Sequence, residues 1–236
     1  MRLIKNFSGY ELNSISLPEP TDSYTPLYHQ WVVDTILEEG DKLGLQMANL
    51  NIMGNNSGTK ILGTFDVTVD DSDMGMRVAF KNSYDKSIPF AMALGAVVFV
   101  CSNSVISGEL NYKRKHTGNA ITDSKFYIIE GLKELNEYYQ KVKRDALILE
   151  TISLINSQVY DILGQLFIEH NIINSMQLNI VKNELFNTVN FKPITSNEFT
   201  AWDLYNAVTE SLKKSHPTTY ISDHSNLHNI FKQLFI

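Results

Sequence analysis

The strongest pattern in this chain is a block of two-residue alternation flanked by helical periodicity. In KILGTFDVTV, residues 60–69, Ile61, Phe65, Val67 and Val69 fall on one side and Lys60, Thr64, Asp66 and Thr68 on the other. That pattern predicts a half-buried strand. MRVAFK repeats it, with Met76, Val78 and Phe80 inward and Arg77 and Lys81 outward. LQMANLNIMG, residues 45–54, reads as a further strand, and GNNSG supplies turn chemistry, because Gly and Asn tolerate positive φ. ALGAVVFVC, residues 93–101, does not alternate; a run apolar on both faces predicts a central strand. VISGELNYKRK alternates again, with Ile106, Leu110 and Tyr112 on one face and Glu109, Asn111, Lys113 and Lys115 on the other.

Helical spacing brackets this block. After a Pro-rich polar lead-in, SLPEPTDSYTP, the residues Trp31, Val32, Ile36 and Leu37 recur at helical intervals, and Gly40 with Gly44 closes the helix. Thr122 or Asp123 caps the next helix, whose apolar face is Phe126, Ile129, Leu132, Leu135 and Tyr139. LILETISLINSQVYDILGQLFIEH, residues 147–170, predicts a second, more apolar helix. Ser175 caps MQLNIVKNELF; TSNEFTAWDLYNAVTESLKK and NLHNIFKQLF supply two more helices. The order predicts an α+β fold: a helix, an antiparallel meander of about five strands, then a C-terminal helical layer. We expect a single domain over 1–236, with an extended lead-in at 1–26, helix plus sheet over 27–122 and a helical part over 123–236.

Composition narrows the function. Among 236 residues, 43% are hydrophobic, enough for a sizeable core, and the formal net charge is −6. That charge excludes a nucleic-acid binder that works through its overall field; any such activity must come from a local patch. Cys101 is the only cysteine, so no intrachain disulfide forms. It lies in an apolar run and reads as a buried small side chain; a nucleophilic pairing with His116 rests only on nearness in sequence. MRLIKNFSGYEL has no signal-peptide pattern, and no apolar run approaches 18 residues. The expectation is a cytoplasmic protein with no membrane partner.

Four separated stretches carry a family resemblance. PEPTDSYTPLYHQWVVDTI, KNSYDKSIPFAMALGAVVFVCSN, KRKHTGN and TAWDLYNAVTESL occur in order from Pro18 to Leu212. They resemble the phage- and plasmid-borne family of domain of unknown function 932. In that family a Thr-Asp-x-Tyr-x-Pro lead-in precedes a helix, and an Asn-Ser-x-Asp turn leads to a strand ending in Cys-Ser-Asn. A His-Thr-Gly segment and a Trp…Asn-Ala-Val-Thr-Glu helix follow. The family usually continues Cys-Ser-Asn with Gly, where this chain has Ser104; a turn with positive φ there would strain the serine. The resemblance implies a mobile-element origin and no particular reaction. The helix, meander, helix order is also similar to that of Rad-type and phage Red-type single-strand annealing proteins, an analogy of fold alone.

Lys113, Arg114, Lys115 and His116 are the principal candidate site, with Arg77 and Lys81 extending it across a neighbouring strand. Clustered cations neutralise phosphates and gain affinity by releasing counterions. The plainer reading is a solvated loop kept soluble by charge. His216, Asp223, His224 and His228 form the one metal-like group; His224 and His228 share a helical face, yet no Cys ligand or His-Glu-x-x-His motif accompanies them, and they read as surface histidines. Asp70, Asp71 and Asp73 lack the ligand order of a calcium loop and read as a polar hairpin turn. Trp202 and Tyr205 read as core anchors. No phosphate-loop, dinucleotide or nucleophile-elbow motif occurs, so no cofactor, metal or catalytic residue is expected. The leading expectation is a protein that binds or anneals single-stranded DNA without covalent chemistry, with a homo-oligomer among its possible partner states. The alternative is an interaction protein that binds a host factor; a metal-dependent enzyme is the third class.

Overall fold

The computed structural model describes residues 4–69, 74–98, 103–187 and 199–236. In chain order it contains β1 (Ile4–Asn6), α1 (Gly9–Asn13), α2 (His29–Lys42), β2 (Met47–Asn55), β3 (Lys60–Val67), β4 (Met74–Ser83), β5 (Phe90–Val98) and β6 (Asn103–Arg114). Then come α3 (Ala120–Glu150), β7 (Ser153–Leu154), α4 (Asn156–Gly164) with a π-helical turn (Gln165–Glu169), α5 (Ser175–Asn187), β8 (Phe199–Thr200), α6 (Ala201–Leu212) and α7 (Tyr220–Phe235). β1 to β6 form one sheet in sequence order, every neighbouring pair antiparallel. The architecture is α+β, as the periodicity predicts.

The sheet is covered on both faces. Ile61, Phe65, Val78, Phe80, Met92 and Leu94 point into the main core, which also takes in α2, α3, α6 and the last turns of α7. Gly131 lets α3 lie close to this face, because a Cβ there would collide with Met92 and the Tyr112 ring. On the opposite face Leu62, Ala79, Ala93 and Ile106 pack against Tyr220 and Ile221 at the start of α7. Small residues on β4 and β5 leave room for that helix. β5, with every residue buried, is the central strand that its unbroken apolar run predicts. No helix among the described residues is long and apolar enough to cross a membrane.

Several elements differ from the sequence reading. The lead-in holds β1 and α1, the latter closed by a Ser8–Glu11 capping box. The apolar stretch 147–170 is not one helix. α3 runs to Glu150 and ends at Thr151. There the Ile152 carbonyl accepts from Ala201 N–H at 2.8 Å, and Ser153–Leu154 pairs with Phe199–Thr200. Strand pairing with partners 45 and 47 positions downstream outweighs helical periodicity. In β6 the register shifts opposite Ala93 and Gly95. Ile106 consequently faces α7 while Tyr112 packs on the main core, not on the same face. Asn119 is the residue before α3, and Asn174, through its pair of hydrogen bonds with Gln177, closes the start of α5; Thr122, Asp123 and Ser175 are inside or at the first turn. Phe126 is exposed on α3 and not part of its buried face. Ser104 sits in β6 without positive φ, so it carries no such strain. Cys101, Asp70, Asp71 and Asp73 lie outside the described residues, as do the side chains of Glu109, Leu110 and Asn111.

Candidate nucleic-acid interface

The six residues singled out by sequence take different places. Lys113 and Lys115 are exposed and have no ion-pair partner among the described residues. Arg114, between them, points to the other side and is docked: its Nε donates to Asp123 at 2.7 Å and its Nη2 to the Thr117 carbonyl at 2.9 Å. Lys81 lies on the Lys113 side of the sheet, half-buried, with Nζ donating to the Thr218 carbonyl at 2.9 Å. Desolvation and nearby Lys113 lower its pKa. Arg77 and His116 are buried, at 8% and 5% exposure, each within its own polar cluster. The expectation that Arg77 faces solvent is therefore corrected: α7 and the β2–β3 edge cover that face.

His116 ends a chain of neutral hydrogen bonds at the mouth of the main core. Its Nε2 lies 2.7 Å from Asn82 Oδ1. Asn82 Nδ2 donates to the Leu27 carbonyl at 2.7 Å and lies 2.9 Å from His29 Nδ1. His29 Nε2 is 3.0 Å from the Gly58 carbonyl. Carbonyl oxygens only accept, so the chain runs in one direction: both imidazoles carry hydrogen on Nε2, and both Nδ1 atoms carry lone pairs. Burial holds both rings neutral, pushing His29 down to about 3 and His116 to about 4. Tyr84 stacks on His29 at 3.7 Å between ring centroids and accepts from its backbone N–H. The lead-in is sewn over the cluster, with Tyr24 donating to the Tyr84 carbonyl at 3.0 Å and Thr25 N–H to the His116 carbonyl at 2.8 Å.

Outside this cluster is a cleft of about 330 Å³, lined by Ser23, Tyr24, Lys86, Ser87, Lys115, His116 and Thr117 among others. Lys86 is exposed and places its ammonium 4.5 Å from the Tyr24 ring centroid. Its backbone is left-handed, with φ of 63°. A long side chain in that region is costly and held by its surroundings. The neighbouring Asp85 is committed to Lys60 at 3.0 Å and to Ser87.

Arg77 organises the other cluster. Its Nε and Nη2 both lie 2.6 Å from Asp66 Oδ1, and its Nη1 donates to Ser104 Oγ at 2.7 Å. Ser104 Oγ is 2.6 Å from the buried Tyr220 hydroxyl. A cleft of about 380 Å³ adjoins it, lined by Asn49, Asn51, Thr64, Asp66, Arg77, Lys213 and Tyr220 among others. Both cations in that cleft have acids: Arg77 has Asp66, and Lys213 has Glu210. Asn103 Nδ2 donates to the Asn206 carbonyl at 2.9 Å, which ties the start of β6 to α6.

The C-terminal histidines go to separate duties. His228 bridges Asp145 at 3.1 Å and Tyr205 at 3.2 Å, His216 turns the chain through Thr218, and His224 is buried against Tyr220. Among the described residues no group of His, Cys, Asp or Glu is arranged to hold a metal ion. Tyr205 is fully buried and stacks on the half-buried Trp202, with an interplanar angle of 8°.

The four stretches behind the resemblance therefore meet in two places. Lead-in, Asn-Ser-x-Asp turn and His-Thr-Gly segment build the His116 cluster; the strand after Cys101 and the Trp202 helix meet at Asn103 and Asn206. The family model described as "Domain of unknown function (DUF932)" matches residues 34–231. The chain belongs to the DUF932 family. No curated protein and no solved structure matches it significantly. In this DUF932 protein, sequence reasoning passed over Lys86, Asn82 and His29. One signal for Asn82 was present: the alternation Met76, Val78, Phe80 continues inward onto it, and a polar side chain at an inward position needs partners.

Proposed function

We propose that this protein binds single-stranded nucleic acid through its phosphate backbone, without covalent chemistry, along Lys113, Lys115 and Lys86. The supporting observation is that these three exposed cations have no acidic partner among the described residues, while two of them line one cleft with hydroxyl-bearing side chains. A phosphate there exchanges counterions for ammonium groups that are already in place. Arg77, Lys81 and Arg114, bound internally, hold the structure behind this edge. Phosphate contacts position a strand without reading its sequence, so binding is expected to be sequence-tolerant.

The test is a salt-titrated binding assay with labelled single and double strands. A Lys86→Asn/Lys113→Ala/Lys115→Ala variant is expected to bind all single strands more weakly. Its logarithmic salt slope should be shallower by about 2, at roughly 0.7 per lost contact. Wild-type protein that shows no salt-sensitive binding, or a variant that binds as well as wild type, overturns the proposal. A second reading, a partner-protein module such as a host-factor binder, draws on the exposed apolar side chains Phe126, Ile155 and Ile168. It takes precedence if no strand binds.

A further inference from the structure

The cleft beside Lys86 contains one group that phosphate binding alone does not use. His116 lines it, and its Nε2–H is spent on Asn82 Oδ1 at 2.7 Å. Asn82 cannot rotate its amide to release that bond. Both its N–H groups are taken, by the Leu27 carbonyl and by His29 Nδ1, and His29 is itself fixed by the Gly58 carbonyl. Nδ1 of His116 is thus an acceptor by construction, and it makes no hydrogen bond within the described residues. Only 5% of the residue is exposed, yet Nδ1 is not sealed in the protein: it keeps contact with solvent. An acceptor held in this way, on a residue that lines the same cleft as Lys86 and Lys115, fits a ligand with a hydrogen-bond donor close to a phosphate.

In a nucleic-acid backbone one group meets that description. The ribose 2′-hydroxyl sits on the carbon next to the one bearing the 3′-phosphate, and it can donate. The corresponding DNA position is a methylene, which cannot. We infer that this cleft selects RNA over DNA, with His116 Nδ1 accepting from a ribose 2′-hydroxyl while Lys86 and Lys115 hold the adjoining phosphate. The inference rests on the strand-binding reading and narrows it from single strands in general to RNA. Asn82 and His29 are positioning residues, because they set the tautomer of His116 without touching the ligand. A bound DNA strand would cover the Nδ1 acceptor, displacing its water, without supplying a donor, and discrimination of this kind is larger than that from a missing apolar contact.

The experiment uses wild-type protein and matched single strands of one sequence: RNA, 2′-deoxy and 2′-fluoro. The 2′-fluoro strand keeps the RNA-like sugar pucker and removes the donor. RNA is expected to bind about tenfold tighter than both, the scale of one satisfied hydrogen bond against one left unmade. Equal binding of RNA and DNA overturns the inference and leaves strand binding intact. Equal binding of RNA and 2′-fluoro strands also overturns it, because the preference would then be for shape. Binding of none overturns the strand-binding reading itself. A His116→Phe variant that retains a cooperative thermal transition is expected to bind RNA and DNA within about twofold of each other, from loss of that single bond. Persistence of the wild-type preference in that variant counts against His116. If the variant does not fold, the 2′-fluoro comparison decides.

Discussion

The His116 and Arg77 clusters are both buried, both polar and both next to a cleft, yet they are built on opposite principles. Around Arg77 the charges are balanced: guanidinium on carboxylate at 2.6 Å, and Lys213 on Glu210 in the adjoining cleft. Around His116 the buried groups are neutral, and the charges stand outside on Lys86 and Lys115 with no acid to meet them. A balanced ion pair ties two neighbouring strands together and offers little to a further anion. A neutral network with a leftover acceptor and unpaired ammonium groups at its rim has something to offer a ligand. The contrast, more than the size of either cleft, decides which one we assign to binding.

The largest expected effect breaks the ionic side of this comparison. Asp66→Ala removes the carboxylate that Arg77 Nε and Nη2 contact at 2.6 Å and should cost up to about 3–5 kcal/mol in denaturant unfolding. An Asp66→Leu/Arg77→Met double variant should recover most of that loss, because removing both charges removes the desolvation penalty as well. Strand binding of the double variant should stay at the wild-type level; a loss would show that the ionic cluster contributes to the interface.

Acid should break the neutral side. His29 and His116 have pKa values lowered to about 3 and about 4, against about 6.5 in an unfolded chain. Below pH 6.5 the unfolded state takes up protons that the folded state refuses, so stability is full above that pH and falls as pH drops towards 4. Between pH 6.5 and 5.5 each unfolded ring goes from about half to about nine-tenths protonated, worth about 1 kcal/mol, so the pair costs about 2 kcal/mol over that unit. Urea midpoints at the two pH values, for wild type and for His116→Phe, measure the share of His116. An unchanged midpoint would contradict the neutral, buried assignment.

The smallest effect separates binding from folding. Lys86→Asn keeps a residue type that tolerates the left-handed backbone, so its stability should change by less than about 0.5 kcal/mol. It should nevertheless remove one phosphate contact, about 0.7 of logarithmic salt slope on single strands. Thermal unfolding together with a salt titration checks both halves.

How much of this was legible follows from what local pattern encodes. Alternation in β3 and β4 and the unbroken run of β5 specify strands and their inward sides. They therefore lead to the α+β layout, because side-chain period is set by backbone geometry alone. Alternation also marks Arg77 and Lys81 as not belonging to the main core. It does not say what else covers them, and that cover comes from α7, which begins at Tyr220. Exposure is a property of distant packing. His116 misled for the same reason: next to three cations it reads as a fourth, whereas the lead-in and Asn82 draw it inside. The break after Glu150 was hidden because its cause is pairing with Phe199 and Thr200, not the local periodicity.

The way α7 closes the second face has a consequence for the order in which the protein is made. Everything that builds the His116 cleft lies between Ser23 and Thr117, so those residues have been joined while 119 of the 236 are still to be translated. The apolar patch of Leu62, Ala79, Ala93 and Ile106 waits for Tyr220 and Ile221, near the end of the chain. At about 5–20 residues per second, the nascent sheet carries that patch uncovered for roughly 5–20 seconds. During that interval all residues of the edge we propose for strand binding have been made while the opposite apolar patch is still without its cover.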